Sequence, residues 1–258
     1  LLVVRKSPPP PDHRVRTGYV TDLAQLETGD FPRGEILQSR WGETARRIFW
    51  LPPVEDTARG LVDRLMGDAR ATRLSEVLDI RWTISFHRSG LRDHFVFPQP
   101  TGRCPMRLLG GMRFHGNGDV RRYRTEWSGW WIDYDQERAK DEHNGLPPRE
   151  LFTPPKLLIA QNARRIVATL DREGYACKDT FLAGLPKGAV PPEYLLGVLN
   201  SALMSYLYGV VYKATHVAGA YLHYLSCYLG DLPIRVAKDT AQVSALVERL
   251  LDPAVTDD

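Results

Sequence analysis

The chain has 258 residues, of which 43% are hydrophobic and 25% are charged, so it is long enough to bury a core and has the composition of a soluble globular protein. Cys104, Cys177 and Cys227 are too few and too far apart for a disulfide framework or a Cys-x-x-Cys metal site, which predicts a reducing, cytoplasmic setting. No apolar run approaches membrane-spanning length and no signal peptide is recognisable, so no membrane partner is expected for this chain of formal net charge +3.

The first third of the chain is predicted to be a connector. Residues 1–4 form a short apolar run and residues 14–20 alternate in polarity, which predicts two strands around a stiff loop containing four prolines at 8–11. Apolar spacing from Asp56 to Met66 predicts a helix. Because the chain starts with leucine and not methionine, we interpret it as a piece of a longer protein. Residues 1–73 would be the end of an upstream domain and its connector.

From about residue 74 the pattern changes to short strands separated by glycine and proline. The segments predicted as strands read RWTISF, RLLGG, DVRRYRTEW, GWWIDYD, PKLLIAQ, RIVATLD and DTFLAGLP. Two helices are predicted after them, over residues 193–212 and 240–251. Runs of strands followed by helices predict an α+β fold, a mixed or antiparallel β-rich domain with C-terminal helices, over residues 74–258.

The first of these helices has a regular apolar face and one irregular step. Its apolar residues recur every three or four positions, which predicts one broad buried face made of Leu195, Leu196, Leu199, Leu203, Tyr206, Leu207 and Val210. Asn200 and Ser201 interrupt this pattern, because both side chains compete with the backbone for hydrogen bonds. From the pattern alone, the step is either a capping feature or an accident at the surface.

Several familiar catalytic motifs are missing from the sequence. It contains no GxGxxG after a strand, no GxxxxGK[ST] phosphate loop, no HExxH and no GxSxG. Asp133, Asp135, Glu137 and Lys140 resemble a loosened nuclease cluster that could hold a magnesium ion. A metal-dependent nuclease fragment is therefore kept as an alternative.

A basic stretch lies in the middle of the chain, where arginines between 103 and 124 face a single acid, Asp119. Residues 110–123 combine flexible glycines with Arg113, Arg121 and Arg122, and aromatic residues lie among them. Such a loop can approach a polyanion while its arginines contact phosphates or base edges. A solvated hairpin with a glycine-rich turn explains the same pattern.

Two further groups have both a binding and a structural interpretation. Trp127, Trp130 and Trp131 could stack on an extruded base, but aromatic residues at such positions more often pack in a core. Lys156 opens the KLLIAQ strand, and Arg164 and Arg165 close it. These cations are either phosphate contacts or a charged strand edge.

Three ordered segments resemble one family, the TaqI-like C-terminal specificity domain of adenine-N6 DNA methyltransferases and fused restriction-modification enzymes. They are LLGG through DVRRYRTEWSGWWIDY, then KLLIAQNARRIVATLDREGYACKDTFLAGLP, then YLLGVLNS with the later DLPI. The resemblance covers roughly residues 74–234. Two departures, at residues 81–90 and 112–118, fall where a target sequence would be read. The recognised bases are therefore not implied.

The resemblance implies a DNA target-recognition domain over residues 74–258, preceded by the end of a methyltransferase domain. The expected partners are double-stranded DNA and a catalytic domain in the same parent chain, which would use S-adenosylmethionine as its cofactor. This fragment is predicted to be non-catalytic and to hold no metal or cofactor, because a glycine-rich cofactor loop and an Asn-Pro-Pro-aromatic motif are absent. A protein-interaction module of a multi-subunit defence system is the other alternative. The residues expected to contact DNA are Arg113, Arg121, Arg122, Arg124, Lys156, Arg164, Arg165, Lys213 and His216.

Overall fold

The computed structural model describes residues 7–18, 20, 22–43, 56–86, 90–110, 119–142, 145–217 and 221–254. The chain forms two compact units. The smaller unit contains Leu1–Asp68 and Gly209–Ala214, and the larger contains Ala69–Tyr208 and Thr215–Asp258. The assignment of the N-terminal part to a methyltransferase domain stays a prediction.

The described residues form short strands and helices. The strands are β1 (Arg14–Gly18), β2 (Arg33–Leu37), β3 (Thr72–Arg73), β4 (Leu78–Trp82), β5 (Val96–Phe97), β6 (Pro105–Leu109), β7 (Val120–Arg121), β8 (Arg124–Thr125), β9 (Trp131–Asp133), β10 (Lys156–Ala160), β11 (Asn162–Ala163), β12 (Ala168–Asp171), β13 (Ala176–Cys177), β14 (Phe181–Pro186), β15 (His216–Val217), β16 (Tyr221–His223) and β17 (Pro233–Ile234). The helices are α1 (Leu23–Thr28), α2 (Ser39–Glu43), α3 (Asp56–Met66), α4 (Leu74–Val77), α5 (Leu91–Phe95), α6 (Gln136–Asp141), α7 (Pro192–Leu199), α8 (Ala202–Val211), α9 (Ser226–Gly230) and α10 (Ala241–Leu251), with 3₁₀ turns at Arg149–Phe152 and Lys213–Thr215.

In the smaller unit, β1 and β2 form an antiparallel ribbon with Arg14 opposite Leu37. The side chain of Asp22 accepts a hydrogen bond from the Gln25 amide at 2.9 Å and so caps α1 at its N-terminus. The helix predicted from Asp56 to Met66 is present as α3. The strand predicted over residues 1–4 lies outside the described residues. The partner of β1 is β2, which the sequence pattern did not predict.

The larger unit is built around two four-stranded sheets. One has the order β12-β10-β14-β4, with every neighbouring pair antiparallel. The other has the order β13-β6-β9-β5 and is mixed, because β13 runs parallel to β6. Leu158 and Phe181 of the first sheet share a buried cluster with Leu108 and Ile132 of the second. The predicted α+β class, with mixed and antiparallel sheets and C-terminal helices, is confirmed.

The continuous helix predicted over residues 193–212 is wrong. α7 ends at Leu199 with Asn200 as its C-cap, and α8, which begins at Ala202, meets it at 58°. Leu195, Leu196 and Leu199 are buried as predicted, but Leu203 is 47% exposed. Tyr206 is 40% exposed. The bend turns α8, so an apolar face extrapolated from α7 no longer points into the core.

Among the described residues, no single helix is long and apolar enough to cross a membrane, although α7 and α8 together reach that length and composition as a bent pair.

The segment DVRRYRTEW, predicted as one strand, is a tight hairpin. β7 pairs with β8, with Val120 opposite Thr125 and Arg121 opposite Arg124. Arg122 and Tyr123 form the turn, and Tyr123 has a φ of +62°. Non-glycine residues seldom adopt this left-handed conformation, which is why the turn was hard to predict.

Candidate nucleic-acid interface

The β7–β8 hairpin holds three of the predicted DNA-binding arginines. Arg121 has an ion pair with Glu126, in which Nε and Oε2 are 2.8 Å apart, and 65% of its side chain is exposed. Arg124 lies opposite Arg121 in the hairpin register and is half-buried. An exposed ion pair contributes little to stability, so Arg121 can leave Glu126 for a stronger anion.

Arg122 has a structural contact that the sequence did not indicate. Its guanidinium Nη2 donates to the main-chain carbonyl of Asn200 at 2.9 Å, and its Cζ lies 5.4 Å from the centre of the Tyr123 ring. Asn200 is the residue at which α7 ends. Arg122 therefore links the hairpin turn to the C-terminus of α7 by a hydrogen bond.

Asn200 links α7 to the edge strand β12. Its side-chain Oδ1 accepts from the Ala168 amide, and its Nδ2 donates to the Ala168 carbonyl, both at 2.9 Å. The Ala168 carbonyl also accepts from the Tyr123 amide at 3.0 Å. One buried asparagine thus satisfies both backbone groups of Ala168 in β12, which is an edge strand of its sheet among the described residues, and it links hairpin, strand and helix.

Arg164 and Arg165 lie exposed in the turn that precedes β12. The Cζ atom of Arg164 lies 5.5 Å from the centre of the Tyr221 ring. Within the described part of the chain, no carboxylate forms an ion pair with either arginine. Arg165 is three residues from Ala168, which is about 10 Å along an extended chain. The structure therefore brings two arginine-bearing turns to the same end of β12.

Lys156 does not belong to this surface, so the expectation that it contacts phosphate is wrong. Its side chain is 0% exposed. The Nζ atom forms a buried ion pair with Asp171 and donates to the Phe152 carbonyl at 3.0 Å. Lys156 opens β10, which is buried along its whole length between β12 and β14. The strand edge suggested by the sequence is an interior position.

The other three predicted residues lie outside these two turns in the sequence. Lys213 lies in a 3₁₀ turn of the smaller unit, and partial burial lowers the pKa of its ammonium group. Arg113 and the side chain of His216 lie outside the described residues. Their contact with DNA stays a prediction.

The tryptophans pack against one another and against an arginine, which favours the core interpretation over base stacking. The ring of Trp127 meets that of Trp131 edge to face at 5.3 Å, and its Nε1 donates to the Trp130 carbonyl at 2.9 Å. Arg107 lies over both Trp127 and Tyr175, with its Cζ at 5.6 and 4.5 Å from the ring centres.

The acidic residues of the nuclease alternative have structural roles. Asp133 accepts from the Cys104 amide at 3.0 Å, and Asp135 caps α6 by accepting from the Arg138 amide at 3.1 Å. Glu137 pairs with Lys140 on the surface at 3.1 Å. Over the described ranges, no three acidic, histidine or cysteine residues converge in a way that could hold a metal ion. The magnesium cluster suggested by their spacing is not formed.

Comparison with known proteins identifies the segment that contains both turns. Residues 113–234 match the TaqI-like C-terminal specificity domain, over a little under half of the chain. The resemblance is confirmed for this segment. The specificity-domain segment begins before the β7–β8 hairpin and ends at Ile234 of β17, so it includes Asn200, Arg164 and Tyr221.

One solved structure similar to this chain is described as "Structural basis underlying complex assembly and conformational transition of the type I R-M system". The two chains share 14% sequence identity, and their superposition has a TM-score of 0.43 and covers 88% of this chain. The chain spans about half of that solved chain, 50% of its length. None of the curated proteins matches this chain.

Proposed function

We propose that this chain is the DNA target-recognition part of a restriction-modification adenine-N6 DNA methyltransferase. The observation that carries the proposal is the match of residues 113–234 to a specificity domain. The two arginine-bearing turns at one end of β12, with the exposed side chains of Arg121, Arg164 and Arg165, support it. In this proposal the chain binds duplex DNA and positions it for a catalytic domain of the same parent protein, which would bind S-adenosylmethionine.

The chemistry of base methylation favours separate domains for catalysis and for DNA binding. An adenine inside a duplex is inaccessible, so the target nucleotide must rotate out of the stack at a cost of a few kcal/mol. A second domain that grips the duplex can supply that energy and select the site. Arginine suits this role because its planar fork matches both phosphate and the edge of guanine.

Arg164 and Arg165 are the residues with which to test DNA binding. Both are exposed, and neither forms an ion pair within the described residues, so charge reversal leaves the buried packing intact and removes only the contact of Arg164 with the Tyr221 ring. Arg122 is unsuitable, because reversing its charge would also break its hydrogen bond to Asn200. Arg103 and Lys140 offer a matched control, since their side chains are 86% and 68% exposed.

The experiment compares a double variant, Arg164→Glu with Arg165→Glu, against Arg103→Glu with Lys140→Glu. Duplex binding is measured by gel shift over a series of salt concentrations. The first variant should bind more weakly and show a flatter dependence of affinity on salt, by about 0.9 in log–log slope for each DNA phosphate that the protein no longer neutralises. The control carries the same change in charge and should retain most of the binding.

Equal losses of affinity in the two double variants would show that net charge alone attracts DNA, and would reject this surface. A wild-type chain that binds no duplex but purifies with a stoichiometric protein partner would favour the protein-interaction module. Magnesium-dependent nicking of plasmid DNA would favour the nuclease.

A further inference from the structure

Tyr221 lies opposite Arg164 because of the strand register. β11 pairs with β16 in antiparallel register, with Asn162 opposite His223 and Ala163 opposite Leu222. Continuing that register by one residue places Arg164 opposite Tyr221. Cross-strand neighbours of this kind are close enough for their side chains to interact, which explains the stacking of the guanidinium on the ring.

The sheet that carries this pair is anchored on both sides of β16. β15 pairs with β16 on the edge away from β11, with Val217 opposite Tyr221. Asn162 and His223 are joined by a side-chain hydrogen bond at 2.8 Å, and the Tyr224 amide donates to the Gln161 carbonyl at 2.7 Å. The backbone under Tyr221 is therefore fixed, so the ring can act as a stable platform.

Tyr221 is 41% exposed as a residue. An exposed aromatic ring gains no energy from a core, but it can orient a cation that lies over its face. The guanidinium of Arg164 is held over the ring, and within the described residues it makes no hydrogen bond or ion pair. Its N–H donors remain available to a ligand.

The other arginine–tyrosine pair of this region shows the contrast. Arg122 also lies over a tyrosine ring, that of Tyr123, but it donates to the Asn200 carbonyl. The pair at Arg122 is structural, whereas the Arg164 guanidinium has no hydrogen bond or ion pair to any residue that the structure describes.

We propose that Arg164, oriented by Tyr221, reads the edge of a guanine in the major groove. Tyr221 is then a positioning residue for base recognition. This inference rests on the proposed DNA-binding function. A guanidinium held over an aromatic ring favours guanine over phosphate as the ligand, because bidentate bonding to O6 and N7 requires a defined orientation, whereas a phosphate accepts from many directions.

The test is a selection from a pool of DNA duplexes with randomised centres, using the full chain. The variants are Tyr221→Phe, Tyr221→Leu, Arg164→Lys and Arg165→Ala. Sequencing of the bound fraction gives the base preference at each position, and gel shifts then compare the preferred duplex with one in which the guanine is replaced.

The wild type and Tyr221→Phe should share a position at which guanine is preferred roughly 5- to 150-fold, the range for one bidentate contact. Arg164→Lys, which keeps the charge but loses the fork, and Tyr221→Leu, which loses the platform, should both lose that preference. Arg165→Ala is the matched control, since it should weaken binding to all duplexes equally and leave the preference unchanged. Thermal unfolding of Tyr221→Leu checks that the fold is retained.

A guanine preference that survives Arg164→Lys or Tyr221→Leu would overturn this inference while DNA binding stands. A wild type that binds duplexes without any guanine preference would also overturn it. A wild type that binds no duplex would reject the inference and the proposed function together.

Discussion

At the scale of single residues, burial decides what a basic side chain does in this protein. Lys156 and Arg164 belong to the same stretch of sequence, yet the first is enclosed and the second is exposed. Lys156 is paired with Asp171, which also accepts from the amides of Glu173 and Gly174 at 2.8 and 3.0 Å and of Tyr175 at 2.9 Å. Lys156, at the start of β10, thus helps to order the turn between β12 and β13 through its pairing with Asp171.

Replacement of Lys156 by alanine should destabilise the fold. Removing one partner of a buried ion pair costs about 3–5 kcal/mol. We expect about 3 kcal/mol, the lower end of that range, because three backbone amides continue to stabilise the Asp171 carboxylate. The measurement is the free energy of unfolding in urea.

Lys140→Ala is the control for this variant, because Lys140 is exposed and should change the free energy by less than about 0.5 kcal/mol. A Lys156→Ala protein as stable as the wild type would show that Lys156 is not buried against Asp171. If the Lys156→Ala protein keeps its stability but loses DNA binding, Lys156 would belong to the DNA-binding surface.

At the scale of elements, the YLLGVLNS segment is a structural junction. Gly197 faces α10, where an added Cβ would lie 2.9 Å from a methyl group of Val247, so only glycine permits this approach of α7 to α10. Three residues later Asn200 ends α7 and bonds both backbone groups of Ala168. Ser201 then accepts from the Met204 amide at 3.2 Å as α8 begins. Within these five residues, α7 packs closely against α10, the Asn200 side chain bonds to β12, and the chain changes direction into α8.

Asn200→Ala should weaken the attachment of α7 to β12 and lower the free energy of unfolding. The substitution leaves the buried amide and carbonyl of Ala168 without Asn200, although Tyr123 still donates to that carbonyl. Only the Ala168 amide is then left unsatisfied, and at about 1–3 kcal/mol for one such buried group we expect a loss of roughly 1–3 kcal/mol in the free energy of unfolding. Hydrogen exchange should show faster exchange of the Ala168 amide than in the wild type.

Ser201→Ala is the comparison, because it removes only a cap of α8 and should cost about 1 kcal/mol. If both variants lose the same stability, the Asn200 side chain has no special role in holding β12.

At the scale of the whole molecule, residues 113–234 match a specificity domain, and most of them belong to the larger of the two compact units. The surface proposed to bind DNA lies in the larger unit, at one end of β12. The sequence contains neither a glycine-rich cofactor loop after a strand nor an Asn-Pro-Pro-aromatic motif. Methylation chemistry is therefore assigned, in our proposal, to a domain of the parent protein.

The purified chain by itself should transfer no methyl group from S-adenosylmethionine to DNA. The assay is incorporation of labelled methyl groups into a duplex pool, with a complete adenine methyltransferase as the positive control. Transfer by this chain alone would overturn the assignment of its domains.

The sequence by itself indicated the fold class and the resemblance to a specificity domain, because both depend on local patterns that survive without tertiary information. Strands such as KLLIAQ and RIVATLD were identified by their apolar runs. The motif order predicted a resemblance over roughly residues 74–234, of which residues 113–234 match the family. The nature of the helix junction was left open, since Asn200 and Ser201 signal a break only through partners remote in the sequence. The partners of Asn200 are Ala168 and Arg122, which no periodicity could reveal.

Only the tertiary structure decided which cations are available to a ligand. Burial depends on how sheets pack, so Lys156 became an interior residue although it stands next to a proline at the start of its strand. Tyr221, distant in sequence from the arginines, was missed because its place beside Arg164 comes from the register of β11 and β16. Sequence reports which side chains exist and how they repeat, whereas their exposure and mutual orientation arise from long-range packing.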